Sequence, residues 1–350
     1  MFLFWLVCFS FYCTCIAIIG LRQLRSRKIQ YSNTKRSIAV IVPVRNEKDN
    51  VLNLVNSLRE LKYSPQRLLF VDDSSSDNTV EILKRHDQEV HVLKDKTGKK
   101  EALKEGVNLV SSEYVLFTDA DCVFPKTYEK LFDTNHTLEG DIIVLPVWIK
   151  NKSILLNQLI RLDFAQLQAL TFGLRGSLGN GANLLVKRES FEKFSKGLEI
   201  SILSGDDYFL LKEAKKNDGR IVYCFDPDLT ILTDAPLNLK ELISQRSRWI
   251  KKSFQKGGLA EIGASFIWIL FSMTPYILIF NWLHSNDFWP LLFLLLKMFI
   301  DAWLIIPVLD SNKNLRLLYL LPLLEFLYPF YYLSVVIRIG FKNTWKGRDL

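Results

Sequence analysis

The 350-residue sequence is poor in the side chains that usually announce metal or nucleophile chemistry. It has only four histidines, scattered along the chain, which makes a histidine-based metal site improbable on composition. Of its five cysteines, Cys8, Cys13 and Cys15 fall in an apolar N-terminus, while Cys122 and Cys224 stand alone. No pair has zinc spacing and no disulfide framework can be read, which fits a reducing compartment. No Gly-x-Gly-x-x-Gly and no Walker loop follows any β-rich run, so the usual dinucleotide and P-loop readings fail. No serine, histidine or cysteine nucleophile motif is visible. Charged residues at 23% and aromatics at 13% exclude a disordered chain, a collagen and a bare membrane bundle.

Charge is also missing from particular stretches. Met1–Leu21 carries no charged side chain and is followed by Arg22, Arg25, Arg27 and Lys28. A cleaved signal peptide would have its positive charge before the apolar run and a small-residue cleavage site after it. The reverse order reads as a retained anchor, N-terminus outside, with the basic cluster in the cytoplasm. Three further apolar stretches follow in the last third: Ile262–Trp282, Trp289–Leu309 and Leu315–Ile339. Each is long enough to cross a bilayer. Lys297 and Asp301 are four apart and face one side of a helix, where they can neutralise each other. Three crossings would put the tail outside, yet Arg338, Lys342, Lys346 and Arg348 favour a cytoplasmic tail. Pro322 and Pro329 allow the third stretch to be re-entrant or interfacial. A mean hydropathy of +0.11 agrees with a soluble domain joined to membrane segments. The net charge of +8 comes largely from membrane flanks, without the aromatic-basic motif of a nucleic-acid module.

The expected organisation is an anchor over 1–21, a cytoplasmic domain over 36–255, a membrane region over 262–340 and a basic tail over 341–350. Within 36–255 strands and helices alternate. Ser37–Val42, Arg67–Val71, Val90–Leu93, Tyr114–Thr118 and Asp141–Leu145 read as strands. Glu47–Lys62, a run starting at Asn78, Gly98–Val110 and Tyr208–Ala214 read as helices. Such alternation predicts an α/β fold with a mostly parallel sheet and ligands beyond the carboxyl ends of its strands. Asn151–Leu178, apolar with sparse charge, reads as an interfacial helix.

Carboxylates gather at those strand ends. Asp119 and Asp121, two apart after a strand, suit one hard cation, Mg²⁺ or Mn²⁺, bridging to a diphosphate. The alternative for an isolated Asp-x-Asp is a turn cap. Asp206 and Asp207 follow Gly205 and open a helix. One of them can serve as a general base or simply cap the helix. Gln245-Arg246-Ser247-Arg248-Trp249 offers bidentate donors for diphosphate and a flat face for a sugar or lipid, or else a basic interfacial anchor. Lys99 and Lys100 open a helix after Gly98, a place that can face phosphate.

Taken together, these residues resemble the membrane-bound branch of the family 2 glycosyltransferases, which have a Rossmann-like GT-A fold. The matching residues are Val42-Pro43-Val44-Arg45-Asn46-Glu47, Val71-Asp72-Asp73-Ser74-Ser75-Ser76-Asp77, Gly98-Lys99-Lys100-Glu101-Ala102-Leu103, Asp119-Ala120-Asp121, Gly181-Ala182-Asn183, Gly205-Asp206-Asp207 and Gln245 to Trp249. They occur in the family's order. The resemblance implies that Pro43, Arg45, Glu47, Asp72 and Asp73 line the nucleoside pocket and that Lys99 approaches the nucleotide. It also implies that Asp119 contacts ribose or metal, that Asp121 holds the metal, and that Asp207, beside Asp206, is the base. Asn183, Gln245, Arg248 and Trp249 would serve the diphosphate and the acceptor.

The family often has Asn where Lys104 stands. Its acidic residue in the amphipathic helix before Gly181 corresponds to Asp163. The implied activity is inverting transfer from a nucleotide sugar, a UDP-sugar first, to a membrane-associated acceptor. A lipid acceptor is the first choice because four apolar segments look few for a pore. A polysaccharide synthase and a non-catalytic nucleotide-binding scaffold are the alternatives. The expected location is the cytoplasmic (inner, if bacterial) membrane.

Overall fold

In a computed structural model the chain is described over residues 2–26, 36–94, 98–133, 138–175, 178–198, 205–256, 271–285, 287–339, 344–345 and 348–349. The central element is β1 (Ile38–Val44). Its sequence, Ile-Ala-Val-Ile-Val-Pro-Val, is apolar on both faces and almost wholly buried, as expected of an inner strand covered by helices on both sides. It pairs in parallel with β2 (Arg67–Asp72) and β4 (Tyr114–Phe117), and β2 with β3 (Glu89–Val92). Pro43 is tolerated within it because β4 pairs with β1 only as far as Phe117 opposite Ile41. The strand β3 is short, exposed and polar, which suits an edge. Helices α2 (Val51–Arg59), α3 (Thr79–Arg85) and α4 (Lys99–Asn108) follow the first three strands. α5 (Glu129–Phe132) is a single turn.

The sheet continues through β5 (Ile142–Val144), β7 (Leu184–Lys187) and β8 (Ile221–Tyr223), in the order β3-β2-β1-β4-β7-β5-β8. β7 runs antiparallel to both neighbours, so the sheet is mostly but not wholly parallel. A second, two-stranded parallel sheet joins β6 (Val147–Ile149) to β9 (Ile231–Thr233). α6 (Leu155–Gly173), α7 (Arg188–Phe194), α8 (Asp206–Lys216) and α9 (Leu239–Lys256) complete this part of the chain. The five expected strands and the helices after them all form. The short strands β6 to β9 were not foreseen, because three- and four-residue segments carry too little periodicity.

Among the described residues three helices are long and apolar enough to cross a membrane: Leu6–Arg25 within α1 (Phe2–Arg25), α11 (Trp289–Ser311) and the span Leu315–Ile339. That last span is a 3-10 turn, Leu315–Leu320, leading into α12 (Leu321–Ile339), whose helix runs through Pro329. Residues 262–270 of the Ile262–Trp282 stretch lie outside the described residues; its later part falls in α10 (Thr274–Ser285). Lys297 and Asp301 pair at 2.8 Å, as their spacing predicts. Glu325 of α12 also accepts from Lys297, and the Tyr12 hydroxyl of α1 donates to Asp301. These groups are buried and bound to one another, which is how ionisable residues are accommodated between apolar helices. They border a cavity of about 20 Å³, room for a single water, which Gln166 of α6 also lines.

The C-terminal end of α1 docks on the α/β part. The Arg175 guanidinium donates to the Arg22 carbonyl at 3.0 Å, and the Phe225 amide donates to the Ser26 carbonyl at 2.9 Å. α1 also crosses α6 closely at Gly173. A Cβ there would lie 2.6 Å from the backbone oxygen of Ile19, which has no freedom to yield. Gly173→Ala is therefore expected to displace α1 and cost about 1–3 kcal/mol. The check is the apparent Tm of the detergent-solubilised protein; an unchanged Tm would show that the crossing is slack.

Candidate functional site

Because β1, β2 and β4 are parallel, the residues after them meet at one edge of the sheet. Beyond β1, Arg45 donates to the Asp73 carbonyl. Asn46 adopts a left-handed conformation (φ 53°) and accepts from the Ser76 amide at 2.8 Å, while the Glu47 amide donates to Thr79 Oγ1 at 2.8 Å. The Pro43–Glu47 segment is thus laced to the Asp72–Thr79 turn. Asp72 is buried, with one oxygen receiving the Ser75 amide at 3.0 Å and its Oδ1 without a partner among the described residues. Asp73, also buried, accepts from the Gly98 amide at 2.7 Å. Gly98 has φ 116°, a backbone state that suits glycine, and this bond sets the start of α4 against the end of β2.

Lys99 ties the clusters together. Its ammonium bonds Asp119 Oδ1 at 2.7 Å and lies 3.4 Å from Asp206 Oδ2. Burial works to lower its pKa, but Asp119, Asp206 and Asp207 outweigh it, so the pKa is raised and Lys99 stays charged. Lys100 points elsewhere, its ammonium 4.3 Å from the centre of the Phe209 ring on α8.

Asp121 is held by two residues that the sequence did not single out. Thr233, the last residue of β9, donates its hydroxyl to Oδ2 at 3.0 Å, and Lys150 donates to the Asp121 carbonyl at 3.3 Å while bonding Asp234 at 2.9 Å. The bridge between Val123 and Leu232 keeps this loop on β9. Burial, with the negative charges of Asp119 and Glu47, pushes the Asp121 carboxyl up to about 6 against the pull of the Thr233 hydroxyl. The ionised form thus lacks a counter-charge where it stands. A donor set of carboxylate oxygens with excess negative charge fits a hard divalent cation. Among the described residues no group of three or more His, Cys, Asp or Glu that could hold a metal ion is found.

Gly205 (φ 86°) turns the chain into α8, placing Asp206 and Asp207 in its first turn. Asp206 is buried against Lys99, whereas Asp207 is half-buried. Gly179 and Gly181 lean on this pair: a Cβ on Gly179 would come 3.3 Å from Asp207 Cβ, and one on Gly181 would come 3.3 Å from Asp206 Oδ2.

On α9, Arg248 lies within the field of Asp119: burial lowers its pKa and Asp119 acts to raise it. Trp249 packs against the core with its ring 4.4 Å from the Arg246 guanidinium, and Gln245 accepts from Arg246 at 3.3 Å. Arg246 itself is buried in an ion pair with Asp163 of α6 at 2.8 Å. Asn183 has its amide engaged by other partners. It is fully buried, accepting from the Tyr128 hydroxyl at 2.6 Å and donating to the carbonyls of Pro146 and Leu229. Burial keeps the Cys122 and Cys224 thiols protonated, so neither is a nucleophile.

A mostly parallel sheet with acidic loops at the carboxyl ends of its strands agrees with the expected GT-A fold. Residues 39–195 match the family model "Glycosyl transferase family 2". A poly-beta-1,6-N-acetyl-D-glucosamine synthase of Staphylococcus aureus is 27% identical over 157 residues, covering 41% of this chain and 38% of that protein. Its namesake from Staphylococcus epidermidis is 33% identical over 138 residues, covering 37% and 33%. The chain thus matches little more than a third of the length of these curated relatives. A mannosyltransferase from Pyrobaculum calidifontis, solved in complex with GDP-Man and Mn2+, superposes with a TM-score of 0.51 at 16% identity. The overlay covers 95% of this chain and 97% of that one, a likeness of fold.

Proposed function

We propose that the protein is an inverting glycosyltransferase that uses a nucleotide-sugar donor, a UDP-sugar first, at the cytoplasmic face of a membrane. The observation that carries this is the meeting at Lys99 of Asp119, from the Asp-x-Asp loop, with Asp206 and Asp207, from the Gly-Asp-Asp turn. Arg45, Glu47, Asp72 and Asp73, with Pro43, form the nucleoside side of the site. Asp119 and Asp121 would hold a divalent cation, Mg²⁺ or Mn²⁺, whose charge offsets that of the departing diphosphate. Arg248 supplies further positive charge on the same side, and Lys99 fixes Asp119 and Asp206. Asp207, half-buried and at the rim of the carboxylate pair, takes the proton of the acceptor hydroxyl. That oxygen bonds to the anomeric carbon as the bond to the diphosphate breaks.

The acceptor we favour is a lipid. Extension of a glycan is the second reading, favoured by the polysaccharide-synthase names of the curated relatives. Incubation of purified protein with a panel of nucleotide sugars and membrane lipids, following nucleotide release and product size, tests both. A glycolipid product supports the first, a long polymer replaces it with the second, and no turnover with any donor refutes the enzyme.

A proton and a cation should compete for Asp121. As pH rises through its pKa of about 6 the carboxyl ionises. Apparent Mn²⁺ affinity should therefore rise roughly tenfold per unit below that pKa and level off above it. In metal-free protein the sign for stability is opposite. The raised pKa favours the folded state most below the unfolded value, and that contribution is lost as pH rises from about 4 to about 6. Titration calorimetry at several pH values checks the first effect, which Asp121→Asn should abolish.

A further inference from the structure

Away from these carboxylates the molecule carries a buried charge that no described side chain balances. Arg161 of α6 is 2% exposed. Its guanidinium donates to Asn151 at 2.7 Å, Gln158 at 3.2 Å and Asn314 at 2.8 Å, all neutral amide oxygens. No carboxylate faces it among the described residues; the charge it feels is that of Arg316, of the same sign. A buried guanidinium without a counter-charge is unfavourable, and Arg246 of α9 shows the ordinary solution in its pairing with Asp163 of α6. Two buried N–H groups here also lack acceptors among the described residues: Arg161 Nε, and Nε1 of Trp148, whose ring centre lies 5.6 Å from the guanidinium carbon.

The position of these residues limits what can supply the missing negative charge. Arg316 is exposed and sits in the turn Leu315–Leu320, which opens a candidate membrane span and packs on α6. The same two places expose apolar side chains: Ile154 and Leu155 at the start of α6, and Leu315 and Tyr319 on the turn. A basic group at the end of a span, flanked by exposed apolar residues, matches a headgroup phosphate with acyl chains beside it.

We propose that Arg316 and Arg161 form a site for the phosphate of an anionic phospholipid, Arg316 contacting the headgroup and Arg161 adding its uncompensated charge from the buried side. The site is separate from the carboxylates of the transfer reaction and rests on the membrane reading above. Full-length protein is reconstituted into vesicles of phosphatidylcholine alone or phosphatidylcholine with phosphatidylglycerol. The apparent Tm is measured in each, and lipid retained after detergent extraction is identified by mass spectrometry. Phosphatidylglycerol is expected to be retained selectively and to raise Tm by about 5 °C. Arg316→Gln should lose that rise while keeping the Tm seen in phosphatidylcholine, and Arg316→Lys should keep part of it. An equal rise in Arg316→Gln, or no preference for phosphatidylglycerol, would overturn the site. The same rise from inorganic phosphate added to the phosphatidylcholine sample would replace the lipid with a free anion. Protein that enters neither vesicle would sink the membrane reading, and this site with it.

Discussion

Asp207→Asn is expected to lower kcat by about 10²–10⁴, the usual share of a positioned general base, while the donor Kd changes little. The separation follows from where the two neighbouring aspartates sit. Asp206 is buried with an oxygen 3.4 Å from Lys99, so its charge helps hold the Lys99–Asp119 bridge beside the proposed nucleotide site. Asp207 acts on Lys99 only through its field and is the more open of the two. Asparagine keeps the shape and can still accept hydrogen bonds, but it cannot take the acceptor's proton. Asp206→Asn is expected to behave differently, weakening donor binding as well as turnover because Lys99 loses a partner. Donor affinity by calorimetry beside steady-state turnover tells the two apart. Retained turnover in Asp207→Asn would remove the base assignment; a large loss of donor affinity would recast Asp207 as part of the nucleotide site.

Much of this site could be read in the sequence because its parts are local. Glu47, Asp72, Asp73, Asp119 and Asp121 each follow a strand with a strong apolar pattern, and parallel strands bring such ends together whatever the details of packing. The spacing that put Lys297 and Asp301 on one helical face was equally local, and the pair forms. What escaped notice depends on distant segments. Thr233 reaches Asp121 from a three-residue strand whose pairing with β6 no periodicity announces. Glu325 joins Lys297 from another helix, and Tyr12 reaches Asp301 across nearly the whole chain. Asn183, grouped in sequence with the diphosphate and acceptor residues, instead spends its amide on one hydroxyl and two carbonyls within the core. Such partners are fixed by tertiary packing, and a side chain's type does not reveal them.

The Gln245–Trp249 segment shows the same limit and yields the second large effect. Two arginines, two residues apart, look alike in sequence, yet Arg248 lies within reach of Asp119 while Arg246 points inward to Asp163. Burial alone would lower the Arg246 pKa; the Asp163 charge overcomes this and raises it, so the pair is ionised. Their side chains are 6% and 9% exposed, and α9, α6 and the Trp249 ring meet at this contact. Asp163→Asn keeps a hydrogen-bond acceptor but strands the guanidinium without its counter-charge, a loss expected to be about 3–5 kcal/mol. Because α9 also carries Arg248, the surviving folded fraction should show a raised donor KM. The paired change Asp163→Leu with Arg246→Met removes both charges together and should recover most of the stability, since replacing a buried pair with apolar groups is often neutral. Thermal unfolding of Asp163→Leu, Arg246→Met and the double variant measures the coupling directly. If the three losses simply add, the two residues do not act as a pair, and the placement of Arg248 has to be explained by other contacts of α9.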